Sequence, residues 1–116
     1  MRLKTYAGYI ESESEAYGGR TPGTLTLVDT GQQMVAHLVF FDERGEPVLI
    51  TVEGPGDPAR NGFVGTSRDP RGWDVTWSVT VLEDSVIGTY VQPHDQGSIA
   101  MKRLLSSPNN SMEATR

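Results

Sequence analysis

The chain contains no cysteine. Disulfides, thiolate nucleophiles and thiolate metal sites are therefore excluded. Histidine is scarce: His37 and His94 are the only two in 116 residues. They stand far apart with no acidic ligand pattern beside them, so no metal site is expected. Long apolar runs are missing as well, and nothing approaches the roughly 20 residues that a membrane-spanning helix needs. A helical period is also absent, and 13 glycines and 7 prolines would interrupt most candidate helices.

Positive charge is in short supply. Ten Lys and Arg residues face 15 Asp and Glu, for a net charge of −5. Only Arg60, Arg68 and Arg71 come close together, and Asp57 and Asp69 lie among them. Nucleic-acid binding depends on clustered cations that release counterions, so no nucleic-acid partner is expected. At the start, Arg2 and Lys4 are followed by Glu11, Glu13 and Glu15 in place of an apolar stretch. No secretory leader is expected, and a cytoplasmic location follows from that and from the missing cysteine. No membrane partner is expected either.

What is abundant is turn chemistry at short, regular intervals. Asp29-Thr30-Gly31, Asp42 to Pro47, Gly54 to Pro58, Arg68 to Gly72, Glu83 to Ser85 and Gln92 to Gly97 all accept turn dihedrals. Between them lie short runs rich in Val, Ile, Thr, Phe, Tyr and Trp, which read as strands. The spacing predicts eight, over 2–11, 23–29, 33–42, 46–53, 60–67, 72–82, 85–92 and 97–105. Only the link from Ser12 to Pro22 is long and polar. The others are shorter than the dozen residues that a parallel crossover requires, so sequential strands must pair as hairpins. Closure removes the exposed edges of such a meander. The expected fold is all-β, an eight-stranded antiparallel up-and-down barrel over residues 1–105, with a polar, disordered tail over 106–116.

Alternation assigns the faces. Trp73, Val75, Trp77, Val79 and Val81 alternate strictly with Asp74, Thr76, Ser78 and Thr80, so the apolar set points inward. Pairing Val81 with Val86 then sends Val86, Gly88 and Tyr90 inward. Ile99, Met101 and Arg103 share one face of the last strand. The third strand is apolar on both faces, with Met34, Ala36, Leu38 and Phe40 on one and Val35, His37, Val39 and Phe41 on the other. Periodicity cannot choose between them, and a second apolar face implies packing against another copy in a homo-oligomer.

The segment Gly72-Trp73-Asp74-Val75-Thr76-Trp77 resembles the Gly-Trp-x-Val-x-Trp strand of the avidin branch of the calycin superfamily, to which lipocalins also belong. Gly88-Thr89-Tyr90-Val91 follows at a similar distance, and Ile99 to Leu105 stands where that family has its last barrel strand. The resemblance implies an eight-stranded barrel with Trp73 and Trp77 inside and Trp77 lining a cavity. The biotin-site residues are not matched: Val86 or Ile87 replaces a tryptophan, and the first strand lacks the Asn and Ser pair. Biotin is therefore not the expected ligand.

Candidates for chemistry are few. No Gly-x-Ser-x-Gly elbow, phosphate loop or dinucleotide fingerprint is present, and no cofactor is expected. His37 would be a general base if it faced a cavity and an ordinary surface residue if it faced outward. Arg103 has two readings: closing one barrel end by bonding to the first strand, as a late basic residue does in calycins, or anchoring a ligand carboxylate or enolate. Three functions follow. The first is a module binding a small apolar or amphipathic molecule between Trp73, Trp77, Tyr90, Ile99 and Met101. The second is a cofactor-free cyclase or isomerase for a flexible polyene or polyketide-like substrate, with His37 and Arg103 as candidate catalytic residues. The third is a structural or interaction barrel with a filled core.

Overall fold

The computed structural model describes residues 2–14, 19–42, 44–56, 61–68 and 72–104. Eight strands follow in chain order: β1 Arg2–Ser12, β2 Arg20–Asp29, β3 Gln33–Phe41, β4 Pro47–Pro55, β5 Gly62–Arg68, β6 Asp74–Val81, β7 Ser85–Gln92 and β8 Asp95–Arg103. Each pairs antiparallel with its sequence neighbour, and β1 pairs with β8 to close the barrel. Among the described residues there is no helix.

Inward side chains come from every strand and form one buried apolar cluster that includes Tyr6, Leu25, Leu38, Val52, Phe63 and Trp77. The alternation of β6 produces this directly, with Val75, Trp77 and Val79 buried between exposed neighbours. On β3 the register decides what periodicity leaves open. Leu38 stands opposite Leu25 and Ala36 opposite Leu27, and all four are buried. Met34, Ala36, Leu38 and Phe40 therefore face the core, while His37, Val39 and Phe41 are exposed on the outer wall.

Two boundaries differ from expectation for a local reason. The β1–β2 hairpin extends further than the polar composition suggests, with Glu11 opposite Arg20 and Ser12 N–H donating to Gly19 O at 2.8 Å. Arg20 also lies over the Tyr9 ring, 3.9 Å from its centroid, and opposite charges with a cation–π contact hold the extra rungs. The last strand starts at Asp95 in place of Gly97, because Asp95 accepts two side-chain hydrogen bonds described below. Residues 105–116, including the expected disordered tail, lie outside the described residues.

One seam is unlike the rest. Among the described residues the β4–β5 pairing has a single register pair, Glu53 with Thr66, whereas β1–β2 runs from Arg2↔Asp29 to Glu11↔Arg20.

Candidate functional site

The barrel has two rims. The upper rim carries the β1–β2, β3–β4, β5–β6 and β7–β8 connections, and the lower rim carries the other links and Arg103. Trp77 and Tyr90 are register partners on β6 and β7, both buried, with ring centroids 5.1 Å apart and planes tilted by 37°. Their polar atoms are already engaged. Trp77 Nε1–H donates to Ser67 Oγ at 2.8 Å, and Tyr90 O–H donates to Asp95 Oδ2 at 2.7 Å. Ser12 Oγ–H donates to the other carboxylate oxygen of Asp95 at 2.7 Å. Burial first, and then the hydrogen bond to Asp95, push the Tyr90 phenol well above its ordinary range. The ring lies over Gly97, where a Cβ would stand 2.7 Å from Tyr90 Cε2 and Oη. Glycine is what lets the tip of the ring come this close to β8.

Ile99 and Met101 follow along β8 and are buried in the same cluster. Trp73 does not join it. This ring is half-buried at the upper rim, 4.4 Å from the His94 ring and tilted by 53°. It precedes β6, so the alternation that places Val75 and Trp77 inside carries it past the end of the wall. Beside it a shallow depression of about 320 Å³ opens between Glu13, Gln92, His94 and Gln96.

His37 does not reach the interior. It is exposed on the outer wall, its Nδ1 3.2 Å from Thr51 Oγ1, which removes the geometry that an interior general base would need. Arg103 occupies an inward register opposite Tyr6 at the lower rim, where the side chain is exposed. Only its backbone joins the closure, through the β1–β8 ladder, while its N–H donates to Asp84 O at 2.8 Å on the β7 side. Among the described residues its guanidinium makes no hydrogen bond or ion pair. The expected closing bonds to the first strand are thus not formed by the side chain, which is exposed at the end of β8.

Four residues of this interior are not apparent from sequence alone: Ser12, Ser67 and Asp95, which tie the aromatic tips, and Tyr6. Tyr6 has no solvent exposure, and its hydroxyl has no hydrogen-bond partner. Burial pushes its phenol up from the ordinary value, and the neighbouring Arg103 guanidinium pulls the other way. The Tyr6-Gly8-Ile10 alternation carries the signal, but Ala7 and Tyr9 on the other face are apolar enough to mask it. Among the described residues, no three His, Asp or Glu side chains gather in a group that would hold a metal ion.

The chain is similar to a solved de novo designed fluorescence-activating beta barrel, at a TM-score of 0.63 and 15% identity over 87% of this chain and 92% of that one. The shared feature is the closed eight-stranded antiparallel barrel. At that identity the likeness is one of fold alone. No family model and no curated protein matches the chain.

Proposed function

We propose that this chain is a small-molecule-binding β-barrel whose ligand is largely apolar and sits inside, against Trp77, Tyr90, Ile99 and Met101. The observation that carries the reading is the Trp77–Tyr90 pair. Both polar atoms are satisfied by the protein, so the ring faces offer apolar contact without a competing hydrogen bond. Trp73, on the rim, would meet a ligand at the entrance. The calycin resemblance over residues 72–105 supports the same reading, as does the designed fluorescence-activating barrel as an analogue of fold. An eight-stranded interior is wide enough either to be filled by side chains or to hold one small ligand. A filled structural barrel is the competing reading, and the near-complete burial of the inward set favours it.

Titration with the neutral dye N-phenyl-1-naphthylamine, read by energy transfer from tryptophan, separates the two. The expected result is saturable one-to-one binding that Trp77→Phe weakens about three- to tenfold, the worth of one aromatic contact. Trp73→Phe should change affinity less. Absence of saturable binding would overturn the proposal in favour of a filled core.

A further inference from the structure

The interior holds one polar group that nothing in the fold explains. Tyr6 lies mid-wall on β1, its side chain wholly buried in the apolar cluster, and its hydroxyl donates to nothing. Buried hydroxyls almost always have a partner, and an orphan is a reason to look for an absent one. The register places Arg103 directly opposite on β8. Its guanidinium is near enough to favour negative charge at the phenol oxygen and has no anion of its own among the described residues.

The lower rim also carries the cations nearest Tyr6. Lys4 has the same inward parity on β1 as Tyr6, two residues nearer that rim, and is only partly exposed. The upper rim offers Glu13 and Asp95 instead, with Asp95 already accepting from Ser12 and Tyr90. An anion entering from below would meet Lys4 and Arg103, with the Asp29 carboxylate beside them already accepting the Gly31 N–H, and then the Tyr6 O–H.

We propose that the ligand carries one acidic oxygen, a carboxylate or enolate, which accepts the Tyr6 O–H and pairs with Arg103 while its apolar body lies in the barrel. This rests on the binding reading above and names the chemical class of the ligand. A phenol O–H and a guanidinium can both donate to such a group, and hydrogen bonds to an ionised acceptor are the stronger kind. Arg103 supplies charge at the rim, and Tyr6 supplies direction inside.

The test uses the full chain and two probes of one shape, 2-naphthoate and its neutral methyl ester, titrated calorimetrically. The acid is expected to bind at least tenfold more tightly than the ester. Tyr6→Phe and Arg103→Gln should each weaken the acid about tenfold and leave the ester within twofold. Tyr6→Phe removes one oxygen without changing shape and Arg103 is exposed, so both variants should fold, and melting curves verify this before titration. Equal affinity for acid and ester, or acid binding indifferent to both substitutions, would overturn the assignment while leaving interior binding intact. If neither naphthyl probe nor the neutral dye binds, the interior-binding reading fails and takes this inference with it.

Discussion

At the residue scale, Tyr6 and Tyr90 are the same side chain with opposite settlements. Tyr90 has its hydroxyl tied to Asp95, whereas Tyr6 is left with a desolvated donor. In the unliganded protein that orphan costs about 1–3 kcal/mol. Tyr6→Phe should therefore raise the denaturation midpoint of the free protein, an unusual result for a change in a core. Tyr90→Phe should lower it, because Asp95 loses a donor. Chemical denaturation of the two variants beside the parent checks both signs. The phenols also set a pH dependence. Both are raised in the folded state, so the protonated forms contribute stability that is fully present below the unfolded value of about 10. That contribution is lost as pH rises from there through the folded values. Melting temperature should fall as pH climbs above about 10, and less steeply in Tyr90→Phe. A flat profile across that window would contradict the burial of these hydroxyls.

At the scale of elements, the β4–β5 seam has the fewest rungs to hold it. Among the described residues one register pair joins these strands, while β5 is paired with β6 from Gly62↔Thr80 to Arg68↔Asp74. Local opening free energies follow such differences in pairing. Amides on the facing edges of β4 and β5 should exchange at least tenfold faster than those of Tyr6 to Ile10 in β1, measured by native-state hydrogen exchange. Uniform protection around the ring would refute this.

The elements are also where the sequence was most legible. Strict alternation on β6 identifies Val75, Trp77 and Val79 as core, and the turn clusters mark eight strands to within a few residues. The third strand was not legible, because its faces are equally apolar, and only the register with Leu25 and Leu27 separates them. Asp95 read as turn chemistry beside His94, since nothing local says that its carboxylate reaches Ser12 on another strand. The Tyr6 orphan is likewise a property of three-dimensional neighbours that no spacing encodes. His37 illustrates the reverse: its type suggested chemistry, and its parity on β3 assigned it to the outer wall.

At the scale of the molecule, every strand pairs with its sequence neighbours, so the barrel is built from hairpins and completed by one long-range contact between β1 and β8. That contact joins the ends of the fold. Arg2 and Arg103 lie on the same rim, in strands paired from Tyr6↔Arg103 to Ser12↔Gly97. The ring consequently has no obligatory first strand. Joining β8 to β1 through a short linker and cutting between β4 and β5 would keep every ladder but the one with a single rung, and β5 would then begin a circularly permuted chain of the same architecture.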